Sequence, residues 1–226
     1  MTFPSVYEMF NPLTTVAKQR AWWWFSGNTA STITSGFVQD IHKGLTIIDN
    51  VSSATQTYGC DDTADGGFKL TTGAGDTDMF QLDDSFNHVY ENWGFDNVAW
   101  IAVAKIFQTT EIQMKLGLKD DSSSATNRGN ITWECDTDIN TNYNFRSTNN
   151  AQSGDYTDST TAIDTNWHTF KGLSNGTNSK GYLDGVLSVI NTGTQPDQKK
   201  ALSYSVKNLS ASSRSIAIRY LEIWNT

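Results

Sequence analysis

Apolar residues recur along this chain mostly at every second position, in short runs closed by turn residues. Ile112, Met114, Leu116 and Leu118 alternate with polar or small residues, the period of a strand with one buried face. The run Val98 to Phe107 is apolar on both alternating sides, with Ile101, Val103 and Phe107 on one and Trp100, Ala102 and Ile106 on the other. A strand buried on both faces and a buried helix share that pattern. Its β-branched and aromatic content, and the alternating segment that follows, decide for consecutive strands. Further strands are predicted at Trp22–Phe25, Gly66–Leu70, Asp78–Leu82, Ile131–Cys135, Asn142–Arg146, Asn166–Lys171 and Ser215–Trp224. Asp184-Gly185, between Lys180–Leu183 and Val186–Ile190, predicts a tight hairpin, because both central turn residues need positive φ. Asp120–Asn130 and Asn149–Thr161 read as polar loops. No helical amphipathic stretch and no internal repeat stands out. Around a dozen short strands imply an all-β chain, a two-sheet antiparallel β-sandwich.

Composition agrees. Asn, Ser and Thr account for 70 of 226 residues, and they favour turns and strand surfaces over helix interiors. That length suits one sandwich domain, expected over residues 21–226, with residues 1–20 as a short N-terminal arm interrupted by Pro12. Sixteen basic residues against 24 acidic ones leave a net charge of −8, so a nucleic-acid partner is not expected. No run approaches the roughly 18 apolar residues of a membrane-spanning helix. Cys60 and Cys135 lack metal-ligand spacing, and a free, buried pair is favoured over one disulfide. The sequons at Asn50, Asn130, Asn175 and Asn208 are about what chance provides in so Asn- and Thr-rich a chain.

The C-terminal half resembles the concanavalin A-like, laminin-G-like jelly-roll family. The resemblance rests on Trp167-His168-Thr169-Phe170, on Tyr182-Leu183-Asp184-Gly185-Val186-Leu187, and on the closing strand Ile216 to Ile223. Phe68-Lys69-Leu70, the Ala99 to Phe107 strand and Leu116-Gly117-Leu118 stand in the family's order, so it extends over residues 20 to 226. The texture is also similar to lectin-like structural proteins of tailed phages and other viruses. N-terminal Met1-Thr2-Phe3-Pro4 lacks the basic and apolar regions of a signal peptide.

Some members of the family are glycoside hydrolases with spaced acids on one strand. The matching stretch here is Glu134-Cys135-Asp136-Thr137-Asp138, whose alternation puts three acids on one face if the strand continues. Its last acid is Asp where the pattern has Glu, and Asp136 to Asp138 reads better as a solvated turn. His168 is read as a core-edge histidine. Asp61, Asp62, Asp65, Asp76 and Asp78 could offer calcium ligands, but lack an ordered calcium-loop spacing. No catalytic residue, cofactor or metal is therefore expected, and the chain reads as a non-enzyme. The run Trp22-Trp23-Trp24 remains. Alternation sends neighbouring tryptophans to opposite faces, so the strand is either covered on both sides or displays an aromatic ledge for sugar stacking or subunit contact.

The expected role is a virion-associated structural protein, a capsid decoration, spike or tail appendage at the virion surface or outside the cell. Its partners would be capsid proteins bound through the arm, other copies of itself in a trimer, and a host glycan. The alternative is a carbohydrate-binding module or a relative of the glycoside hydrolases.

Overall fold

The computed structural model describes residues 5–7, 20–26, 29–34, 38–42, 45–51, 55–60, 66–75, 79–83, 97–119, 130–149, 154–193, 195 and 201–225; side chains before residue 56 lie outside that description. The described residues form eighteen strands in two antiparallel sheets and no helix. The first sheet runs β16 (Val186–Asn191), β15 (Ser179–Leu183), β14 (His168–Ser174), β9 (Val98–Ile106), β18 (Ser215–Asn225), β7 (Phe68–Thr71), β6 (Thr55–Cys60), β3 (Thr29–Thr34). A bulge at Arg219 divides β18, so that its first half pairs with β7 and its second half with β2 (Arg20–Ser26), which in turn pairs with β1 (Ser5–Tyr7). The second sheet runs β13 (Gly154–Ala162), β12 (Asn142–Thr148), β11 (Asn130–Asp136), β10 (Ile112–Lys119), β17 (Ala201–Asn208), β8 (Met79–Asp83), β5 (Leu45–Val51), β4 (Val38–His42).

The core lies between the sheets and takes alternate residues from each strand, as the pleat requires. Trp100, Ala102, Ala104 and Ile106 of β9 and Ile216, Ile218, Leu221 and Ile223 of β18 meet Ile112, Met114, Leu116 and Leu118 of β10, Trp133 of β11 and Tyr204 of β17. Burying each of the larger side chains contributes roughly 2–3 kcal/mol. Hydrogen bonds also tie one sheet to the other: Trp133 Nε1 donates to the Lys171 carbonyl (3.1 Å), Tyr204 Oη to the Ala217 carbonyl (2.7 Å), and Asn191 Nδ2 to the Phe145 carbonyl (3.3 Å), among others. The Trp100 ring occupies the space that side chains at Gly117 and Gly172 would need. A Cβ at Gly117 would lie 2.5 Å from its Cζ2, so the two glycines, one in each sheet, form the slot for this ring.

Most expected strands are present, and the Asp184-Gly185 hairpin turn has φ of 51° and 81°. Three readings need correction. Asn149–Thr161 was expected as a loop, but Gly154–Ala162 is β13, an edge strand that pairs with β12 through its backbone. The run at β9 is buried on its core face, while Ile101 and Val103 on the other face are only half-buried. The central strand β17 was not anticipated, although Leu202, Tyr204 and Val206 alternate within it and are buried. Cys135 is a free, buried thiol, and desolvation pushes its pKa up to about 12.

Candidate functional site

The face of the eight-stranded sheet turned away from the core carries polar residues in register. One row crosses six strands through cross-strand partners: Gln81, Ser205, Lys115, Glu134, Asn144 and Asp158. Six strands span about 24 Å at the usual inter-strand spacing. The next row includes Ser203, Gly117, Thr132, Arg146 and Tyr156, and on the other side stand Lys207, Gln113 and Asp136. A half-buried sheet ordinarily gives such a face to water. Here Gln81, Thr132, Glu134, Asp136, Asn144, Ser203 and Ser205 are all buried, while Tyr156 and Asp158 at the β13 edge are exposed.

Burial makes every polar partner count. Glu134 Oε1 accepts from Thr132 Oγ1 at 3.0 Å, and its Oε2 lies 3.9 Å from Arg146 Nη1, an ion pair without a close hydrogen bond. Arg146 Nε is buried and has no acceptor. The Arg146 guanidinium also lies 6.0 Å from the Tyr156 ring. Desolvation lowers the Lys115 pKa, opposed by the charges of Glu134 and Asp136. Desolvation, with the charges of Glu134 and Asp136, holds the Tyr156 phenol well above its usual value, so it stays protonated. The site thus pairs a weakly engaged carboxylate with a weakly engaged guanidinium, beside a protonated phenol.

The three acids expected on one face are separated. Glu134 and Asp136 share the outward face of β11, whereas the strand stops there and Asp138 falls in an exposed turn. Asp136 is buried rather than solvated. It accepts from Gln113 Nε2 and from the Asp138 amide, and its carbonyl accepts from the Ile139 and Asn140 amides, so it closes the β11–β12 turn. Arg146, Lys115, Asn144 and Tyr156 were missed by sequence reasoning. Their signal was a period-2 polar pattern on consecutive strands, which gains meaning only once register is known.

His168 stands elsewhere, buried at the end of β14. Its Nδ1 lies 2.7 Å from Asp184 Oδ2 and its Nε2 2.9 Å from Asp164 Oδ1, and Asp184 Oδ1 also accepts from the Thr169 amide at 2.8 Å. Both ring nitrogens are occupied. The ledge expected of Trp22, Trp23 and Trp24 concerns side chains outside the described residues; the backbone sets Trp22, Trp23 and Trp24 opposite Glu222, Leu221 and Tyr220. The acids Asp61, Asp62, Asp65, Asp76 and Asp78 likewise fall outside the described residues, and among the described residues no cluster of metal-ligating side chains forms.

No protein-family model and no curated protein sequence matches the chain. Solved structures do. A protein of unknown function from Shewanella oneidensis MR-1 is similar over 95% of this chain and 90% of its own, with a TM-score of 0.60 and 13% identity. Family 7 alginate lyase A1-II' is similar over 78% of this chain and 85% of its own, with a TM-score of 0.54 and 10% identity. LamA from Z. galactanivorans, solved with laminaritriose and laminaritetraose, is similar over 72% and 79%, with a TM-score of 0.50 and 13% identity. At such identities the likeness is one of fold: the chain is a two-sheet, concanavalin A-like jelly-roll sandwich. The expectation of a non-enzyme is thereby overturned. It rested on a missing glycosidase motif, and an alginate lyase is built on this same sandwich, so that absence does not exclude catalysis.

Proposed function

We propose that the chain is a carbohydrate-active protein that holds an acidic polysaccharide on the outward face of the eight-stranded sheet and cleaves it by β-elimination. The observation that carries this reading is the buried Arg146 Nε without an acceptor, beside a Glu134 that the same guanidinium approaches only to 3.9 Å. An unpaired buried donor costs about 1–3 kcal/mol, and a sugar carboxylate would remove that cost.

Hydrolysis by paired acids fits less well, because Asp136 is committed to its turn and Asp158, two strands from Glu134, is held by Asn140, Asn142 and the Thr160 amide. Elimination needs different parts. Arg146 neutralises the uronate carboxylate and so acidifies the proton on the adjacent ring carbon. Glu134 takes that proton, the electron pair forms the ring double bond, and the glycosidic oxygen leaves with a proton from the Tyr156 phenol. Lys115 flanks Glu134 in register and suits a neighbouring sugar hydroxyl, while the buried Asn144 on the other side is bonded to Asn140 and Asn142. The likeness to alginate lyases supports the choice of substrate class. This reading displaces the capsid-decoration role, to which neither the geometry nor the comparisons add support.

The test is incubation with alginate and with laminarin, following unsaturated uronate ends and reducing ends separately. Unsaturated ends from alginate are expected, with turnover lowered about a hundredfold or more in Glu134→Gln while oligosaccharide binding persists. Arg146→Lys should weaken binding of acidic sugars first. Reducing ends without unsaturation, or neither cleavage nor binding at millimolar sugar, would sink the proposal.

A further inference from the structure

The outward face of the ten-stranded sheet carries a different chemistry. Lys69 of β7 and Lys105 of β9 both stand opposite Ala217 of β18, one on each side. The small residue between them lets both side chains lean on one ring: Lys69 Nζ lies 4.3 Å and Lys105 Nζ 4.6 Å from the Phe107 centroid. Beside them the Arg219 guanidinium stacks on Trp167 at 4.0 Å, and Lys105 Nζ is 5.8 Å from the same ring. Four residues along β9 the arrangement repeats. Lys171, in register with Ile101 and Tyr182, lies 5.3 Å from the Tyr182 ring and 5.8 Å from that of Trp224. Lys180 follows on β15, opposite Leu173.

Five cations therefore share this face. Among the described outward positions of β7, β18, β9, β14 and β15 the one carboxylate is Glu222, which accepts from the Tyr220 hydroxyl. The chain as a whole carries a net charge of −8, so the basic strip is a local reversal of sign. Five strands span about 19 Å. The ring contacts hold these long side chains extended along the sheet, so much of their ordering precedes any ligand.

We propose that this strip is a second, non-catalytic binding surface for an acidic polysaccharide, a chain whose carboxylate or sulfate groups lie across Lys69, Lys171 and Lys180, while Lys105 lies buried against the Phe107 and Trp167 rings. The rings lie half-buried beneath the cations and do not project, which suits a thin polyanion lying flat better than insertion into a membrane. A nucleic-acid duplex is broad enough to meet the acidic remainder of the surface. The ligand class rests on the carbohydrate reading above, but none of these residues belongs to the Glu134 face, and the two can fail separately.

Binding of the whole chain to immobilised alginate and dextran sulfate tests this, with unmodified dextran, duplex DNA and phosphatidylserine vesicles alongside. Binding of one of the charged polysaccharides, weakening steeply with salt, is expected. The pair Lys69→Glu/Lys171→Glu should weaken it about tenfold or more, and the milder Lys69→Gln/Lys171→Gln in the same direction by less. Cleavage or binding of a short oligosaccharide at the Glu134 face should stay at the wild-type level in both. Unchanged polysaccharide affinity in both folded variants, equal binding to unmodified dextran, or stronger binding to DNA or vesicles would each overturn the proposal.

Discussion

Two buried charged centres in this sandwich are built on opposite principles. At His168 both ring nitrogens and both oxygens of Asp184 are used, and Asp164 takes further bonds from the Asn166 amide and side chain. At Arg146 the contact to Glu134 is loose and Nε is left over. The first cluster spends its polar capacity internally. It clips the β13–β14 connection to the β15–β16 hairpin, and the imidazole edge also meets Tyr143 and Phe170. The second keeps capacity in reserve. A satisfied cluster stabilises the fold, whereas an under-satisfied one lowers stability slightly and is suited to a ligand that completes it.

Removing a residue from each centre should separate them. The largest effect is expected at His168→Ala, which releases two half-exposed carboxylates to water and opens a gap against two rings, at a cost of about 2 kcal/mol and roughly 6 °C in melting temperature. Thermal unfolding reads it directly. Glu134→Gln should cost about 1 kcal/mol or less, since Thr132 still finds an oxygen acceptor, even though turnover collapses. Equal stability losses at the two sites would erase the distinction.

Acidity offers a finer probe. Burial pulls the His168 pKa down, but the hydrogen bonds and charges of Asp184 and Asp164 outweigh it, and the value ends above the ordinary 6.5. Burial pushes Asp164 up, and its bonds from Asn166 and His168 outweigh that, leaving it below the ordinary 3.8. A raised histidine value means stability fully present below about pH 6.5 and lost as pH rises through the folded value; a depressed aspartate value means stability present above about pH 4 and lost in acid. The clip is therefore firmest between those limits. The melting-temperature gap between wild type and His168→Gln should narrow when pH is raised from about 6 to about 8.5, and a gap independent of pH would show that the charge on His168 contributes nothing.

How much of this was legible beforehand depends on the element. β10 could be read because Ile112, Met114, Leu116 and Leu118 all face the core. The hairpin could be read because Asp184-Gly185 satisfies a local dihedral demand. β13 could not, because its nine residues include Tyr156 as the single aromatic and its partner β12 supplies the ladder. Glu134 stood out as an acid on a strand. Arg146 did not, because only the β11–β12 register, with Thr132 opposite Arg146 and Glu134 opposite Asn144, brings the two charges to adjacent positions.

Local chemistry was enough to establish an all-β chain, its strongest strands and its tight turn, since alternation and positive φ act within a few residues of themselves. Strand order, the burial of a polar face and the sorting of charge onto two outward faces arise from pairings between residues as far apart as Lys69 and Ala217. Those pairings are chosen by closing the sandwich as a whole. No stretch of the chain carries them alone, and for that reason both candidate binding surfaces became visible only in three dimensions.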